Sequence, residues 1–158
     1  MSKNENSEIK SWQVYILVLI ILTTIGLKLY QSFYWPKAQI KINDKIILVL
    51  VADNFKHWQK GLGGRNSLGK YKGMLFIFPD IKRHVFVMRD MKFPIDIIWI
   101  KNNLIVDFAS NVPTEYEKTE AELTPYLARA DSDMVLELPA GTALNWGLKI
   151  GDKIEVVR

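Results

Sequence analysis

Hydrophobic positions in this chain follow two different rules. From Trp12 to Leu27 they run almost without a break, interrupted only by Gln13, Thr23, Thr24 and Gly26, and no charge intervenes before Lys28. With Lys28 snorkelling and Leu29 and Tyr30 included, the run reaches the roughly 20 residues a helix needs to cross a bilayer. Trp12 and Tyr30 then fall at the two interfaces, where amphipathic rings are favoured. Beyond Trp35-Pro36 the long run gives way to short segments separated by turn residues.

Those segments predict strands. Ala38–Ile42 alternates apolar and polar, Asn43-Asp44-Lys45 turns the chain, and Ile46–Ala52 is densely aliphatic. Asp53 is placed to cap a short helix ending at Gly61, with Phe55, Trp58 and Leu62 on one core-facing side and His57 on the polar side. A glycine-rich loop follows from Gly61 to Gly73. Further strands are expected at Met74–Phe78, stopping at Pro79-Asp80, and at His84–Met88 and Ile95–Ile100. Lys101-Asn102-Asn103 makes a hairpin into Leu104–Ala109. A polar stretch, Pro113–Asp133, precedes a strand at Met134–Leu138. A helical piece near Thr142–Trp146 and a last strand, Lys153–Val157, complete the chain.

About eight short strands with tight turns and little helix predict a mainly β fold, a compact jelly-roll-like β-sandwich or a barrel with one or two short helices. The gaps between strands from Met74 to Ala109 are too short for parallel crossovers. The organisation read from the chain is a tail over 1–11, a transmembrane anchor over 12–30, a linker over 31–37 and a β-rich domain over 38–158. Bulky residues follow the apolar run where a signal peptidase needs small ones, so the helix is expected to stay attached. Lys28, Lys37, Lys41 and Lys45 after the helix outnumber Lys3 and Lys10 before it, and the positive-inside rule alone would put the domain in the cytoplasm.

Composition narrows the chemistry. The chain has no cysteine, which excludes disulfides and thiolate metal sites. Charge is split: residues 56–101 carry ten basic residues against Asp80, Asp90 and Asp96, whereas residues 107–137 carry eight acidic ones against Lys118 and Arg129. Basic charge opposed by acid on one small domain argues against nucleic acid as a partner. The partners expected are the lipid bilayer and an envelope protein or small ligand.

Several landmarks occur in order: Gly61-Leu62, Arg65 and Leu68; Gly73-Met74-Leu75-Phe76-Ile77-Phe78; Met88-Arg89-Asp90; and Pro94-Ile95-Asp96-Ile97-Ile98-Trp99-Ile100. Val135-Leu136-Glu137-Leu138-Pro139-Ala140-Gly141 and Ile150-Gly151-Asp152-Lys153 follow. This order resembles the bacterial and archaeal family catalogued as domain of unknown function 192, over roughly Ile47 to Val157. The resemblance implies a compact β domain, often behind a signal peptide or anchor, and so an extracytoplasmic location. It implies no activity and no cofactor. Gly63-Gly64 and Val87-Met88-Arg89-Asp90 depart from the family's habit of Met-aromatic and Trp-Met-Lys-Asn at these places.

No catalytic motif emerges. Gly64–Lys70 has the spacing of a phosphate-binding loop, but Tyr71 stands where Ser or Thr must hold Mg²⁺, and a strand follows instead of a helix. His57 and His84 are too few for a metal site without carboxylates. The acidic segment Glu115–Asp133 lacks the order of a calcium loop. Ser67, Ser110 and Ser132 sit in no nucleophile setting. A carboxylate pair drawn from Asp90, Asp96 and Glu137 would suit a hydrolase or transferase acting on envelope polysaccharide. One group of side chains remains, Arg65, Met88, Arg89, Asp90 and Asp96 beside apolar strands, with two readings. The favoured one is structural: Arg65 reaches Asp96 first and Asp90 second, pinning the glycine-rich loop to the sheet. The functional one is a small-ligand binding site, a cleft floored by Met88 and Met91.

Overall fold

The computed structural model describes residues 10–157, and the chain divides into two units, Met1–Tyr34 and Trp35–Arg158. The expected tail lies outside the described residues except for Lys10 and Ser11. Helix α1 spans Ser11–Phe33. Its segment Ser11–Tyr30 is long and apolar enough to cross a membrane, and fits an anchor or a signal sequence equally. Apolar side chains are exposed all along it from Trp12 to Tyr30. The Thr23 and Thr24 hydroxyls donate to the carbonyls of Ile20 and Ile21 at 2.9 and 2.8 Å, so neither confronts an apolar medium with an unmet donor.

The second unit is mainly β. Strands β1 (Lys37–Ile42) and β2 (Lys45–Ala52) form a hairpin, helix α2 (Phe55–Lys60) follows, and β3 runs over Gly73–Lys82. A two-residue β4 (Val85–Phe86) precedes the long hairpin β5 (Ile95–Lys101) and β6 (Leu104–Val112). Asn102 and Asn103, both with positive φ, supply the turn that such a hairpin needs. Then come β7 (Tyr126–Leu127), β8 (Ser132–Pro139), helix α3 (Thr142–Asn145) and β9 (Ile154–Val157).

Seven strands make one sheet in the order β6-β5-β8-β3-β2-β1-β9, and β4 pairs with β7 in a separate ribbon. The sheet curls until its edges meet. Leu104 of β6 bridges Lys153 before β9, Ile105 N–H donates to Asp152 O at 2.9 Å, and Ile154 N–H to Asn103 O at 2.8 Å. Of the two expected architectures, this edge contact selects the barrel. One pair, β2 with β3, is parallel. Residues 53–72, holding α2 and the glycine-rich loop, are the crossover that such a pair requires.

Two apolar layers form, one on each face. Ile40, Ile42, Leu75, Ile98, Leu136 and Ile154 fill the inside of the curl. Leu62, Met74, Phe76, Ile97, Trp99 and Val135 make a second layer. Strands β2, β5 and β8 contribute to both layers, which explains their nearly continuous aliphatic runs.

Some local expectations change. Asn54 caps α2, accepting from His57 N–H at 3.1 Å. Asp53 instead lies 3.4 Å from His57 Nδ1. Phe55 is 69% exposed, so the buried helix face is carried by His57 and by Trp58, whose indole N–H donates to Ala52 O and Ile77 O. Strand β3 does not stop at Pro79: its pairing with β8 breaks after Ile77 and resumes at Lys82, and Pro79 occupies the bulge, where no ladder hydrogen bond is demanded of it.

Candidate functional site

A pocket of about 360 Å³ opens beside the second apolar layer, between α2, β3, β4 and the residues that follow β4. Its lining includes Trp58, Phe76, Phe78, His84, Phe86 and Arg89. The rings are mutually braced. Phe76 meets Phe86 edge-on at 5.0 Å, Trp58 packs on Phe78 at 5.2 Å, and His84 stacks on Phe78 at 3.7 Å. His84 is buried with its Nε2 3.2 Å from Asp80 O. Such geometry leaves the walls little rotamer freedom, the condition for a preformed site.

Glu137 also lines this pocket. It sits on β8, between β3 and β5, opposite Met74 and Ile97. Alternation along β8 sends Leu136 and Leu138 into the inner layer and Val135 and Glu137 into the outer one. The residue is 5% exposed, and its Oε2 has no hydrogen-bond partner. Burial pushes its carboxyl up to about 8, so the neutral acid predominates at neutral pH. The close approach of strands here is strict: a Cβ on Gly73 would stand 2.4 Å from the Glu137 carbonyl oxygen.

Arg89 forms the wall between this pocket and a second, polar one. Its guanidinium grips Glu120 with two N–H groups, Nε at 2.6 Å from Oε2, and its Nη1 donates to Gln59 O at 3.3 Å. The Glu120 hydrogen bond raises the Arg89 pKa. Asp90 lines the polar pocket too, with Tyr116 and Lys118.

The expected pair of Arg65 with Asp96 does not form. Asp96 is completely buried and already accepts three backbone N–H groups, from Asn111 at 2.8 Å, Gly141 at 3.1 Å and Ala143 at 2.8 Å. It joins β5 to the end of β6 and the start of α3, its oxygens engaged by backbone instead of a guanidinium. Arg65 lies instead over the Trp35 ring at 4.9 Å, and Trp35 stacks on the buried His57 at 4.2 Å. Burial without an acidic partner lowers the Arg65 pKa. Asp90 does hold the glycine-rich loop, through its carbonyl: Gly64 N–H donates to Asp90 O at 2.8 Å. A Cβ at Gly63 would lie 2.8 Å from Arg89 O, so the loop hugs that turn.

Of the residues singled out from sequence, Arg89 and Met91 therefore join Glu137 at the aromatic pocket. Met88 is buried in the outer layer. Arg65, Asp90 and Asp96 lie elsewhere. Asp96 and Glu137 project from opposite faces of the sheet and cannot flank one glycosidic bond as a carboxylate pair must. Part of the aromatic wall carried a signal in the sequence, since Phe76 and Phe78 stand two apart, as side chains sharing one strand face do, whereas Phe86 lies on β4 and outside that period.

Among solved structures, a Sinorhizobium meliloti 1021 protein named "putative transcription regulator" shares the fold at a TM-score of 0.69 and 23% identity, over 77% of this chain and 95% of that one. A Novosphingobium aromaticivorans DSM 12444 protein of unknown function matches at a TM-score of 0.64 and 27% identity, over 77% of this chain and 84% of that one. Among curated proteins none matches. Residues 38–156, nearly the whole barrel, match the family DUF192, described as uncharacterized ACR, and the chain belongs to that family.

Proposed function

We propose that this chain is a membrane-tethered, non-enzymatic binding module that holds a small ligand in the aromatic pocket over Glu137. The observation that carries the reading is the buried Glu137 carboxyl, whose Oε2 faces no protein partner although it lines an open pocket. A core with no task for that group would be more stable with an apolar side chain, because a polar atom buried without a hydrogen bond costs about 1–3 kcal/mol. Braced rings with a few polar groups among them, Glu137 the buried one, are the common make-up of a small-ligand site. Helix α1 supplies the tether, and we take the barrel to lie outside the cytosol. The lysines after the helix argue the other way, but long downstream segments cross largely regardless of charge.

The test is a ligand screen on the full chain in detergent micelles, read as melting temperature. A true ligand at a hundred times its Kd adds about 2.7 kcal/mol. Its shift should vanish in Glu137→Leu. A set of hits indifferent to Glu137→Leu and Phe78→Ala would reject the pocket as the site.

A further inference from the structure

The surroundings of Glu137 bear on what the pocket can hold, an inference that rests on the binding reading above. The ionisable groups that share the pocket come from every wall: Lys60 from α2, Asp80 and Lys82 from β3, then His84 and Arg89. Lys82 Nζ is held by Asp80 at 2.7 Å and Arg89 by Glu120, so neither cation is free to serve Glu137. With Asp80 and Glu120 offsetting Lys82 and Arg89, Lys60 leaves one positive charge in excess at the walls, which disfavours a positive ligand. Around the carboxyl itself the outer layer is apolar, with Met74, Phe76, Met91 and Ile97.

We infer that the pocket selects a neutral, mostly flat apolar molecule bearing an oxygen acceptor at its inner end, which receives a hydrogen bond from the Glu137 carboxylic acid. The indole N–H groups of Trp58 and Trp99 are already committed to Ala52 O, Ile77 O and His84 O, whereas a Glu137 acid O–H has no protein acceptor, and the rings provide faces for a planar body. The upward shift of the carboxyl to about 8 keeps that donor in place at neutral pH. A charged carboxylate would present only acceptors and would repel the same ligand oxygen.

Three probes of similar size separate the alternatives: acetophenone, with a carbonyl acceptor; ethylbenzene, with none; and phenyltrimethylammonium, a permanent cation. Each is titrated into isotope-labelled full chain in lipid nanodiscs, and amide shifts are followed at Gly61, Phe86 and Leu138. At pH 6 acetophenone should bind about tenfold tighter than ethylbenzene, the worth of one hydrogen bond. That advantage should fade above pH 9. Glu137→Gln, whose amide still donates, should keep it at all pH values, and Glu137→Leu should abolish it. Should the cation bind best and tighten as pH rises, the pocket is a cation site and the ligand class is wrong, although a binding site remains. Equal binding of acetophenone and ethylbenzene also overturns the class. If none of the three moves the pocket resonances while Ile40 and Leu136 report an intact barrel, the binding reading itself fails.

Discussion

Asp96 and Glu137 lie on hydrogen-bonded neighbouring strands, one position out of register, and point to opposite faces of the same sheet. Both are buried, with opposite consequences. Asp96 has its oxygens occupied by three backbone N–H groups and acts as a joint. The Oε2 of Glu137 has no hydrogen-bond partner, and its burial is a cost to the fold.

Removing the joint should be severe. Asp96→Ala leaves three amides without an acceptor, and we expect a loss of roughly 3 kcal/mol or more. Asp96→Asn keeps one carbonyl oxygen and should lose less. Denaturant midpoints of the full chain in micelles measure both, and an alanine variant within 1 kcal/mol of the parent would contradict this role.

Glu137 should make stability depend on pH in a particular direction. Its carboxyl titrates near 8 in the folded chain, above the 4.5 taken for a free glutamate. The folded state therefore holds a proton that the unfolded chain has released between these values. The contribution of Glu137 to stability is fully present below 4.5 and is lost as pH rises to about 8, by at most about 1.4 kcal/mol per pH unit. Glu137→Gln should flatten that slope and leave the variant more stable than the parent at pH 8 and little different at pH 4. Melting curves across this range decide it, and parallel curves for the two proteins would refute it.

Arg65 should matter only modestly to stability. A buried ion pair with Asp96 would have made Arg65→Ala cost 2–4 kcal/mol on the usual scale. The observed contact is with the Trp35 ring, so the loss should be about 0.5–1 kcal/mol. Trp35→Ala should cost more, because it also uncovers His57. Chemical denaturation of both variants ranks them, and the reverse order would overturn the stacking account.

The same contact sets where the domain can be cut. A fragment starting at Trp35 keeps the stack of Arg65, Trp35 and His57, and we expect it to be soluble and monomeric. A fragment starting at Pro36 should melt several degrees lower, as small domains shift about 4–8 °C per kcal/mol. Light scattering and calorimetry on the pair test this. Equal melting points would show the stack to be dispensable.

Membrane topology is tested by a reporter that is active only in the cytosol, fused after Arg158. With the barrel exported, it should stay inactive. Activity would mean that Lys28, Lys37, Lys41 and Lys45 hold the domain inside.

Much of the barrel was written in local patterns. The β1–β2 and β5–β6 hairpins follow from alternation and their turn residues, above all Asn102-Asn103 with both φ values positive. The β4–β7 ribbon was not legible, because strands of two residues have no period to detect. The parallel pairing of β2 with β3 was hidden by a crossover whose helix is only six residues long. Glu137 was the hardest to place. In Val135-Leu136-Glu137-Leu138 it reads as the solvent-facing member of an alternating strand. Only the layer of α2, Phe76 and Phe86 laid over that face makes it buried, and those residues lie far away in sequence. The pair of Arg65 with Asp96 fails because the backbone amides that engage Asp96 come from the irregular end of β6 at Asn111 and the start of α3 at Gly141, which side-chain chemistry does not announce.

The closing of the curl also governs timing. Strand β1 pairs on one side with β2 and on the other with β9, more than a hundred residues later. A chain threading through a membrane pore from its amino end delivers β1 early and β9 late. Until β9 arrives, β1 carries an open edge of unpaired N–H and C=O groups, the kind of template on which chains aggregate. The barrel can then be finished only after β9 has cleared the pore, so an exported form would depend on something shielding β1 in the interval, and refolding should slow when β9 is shortened.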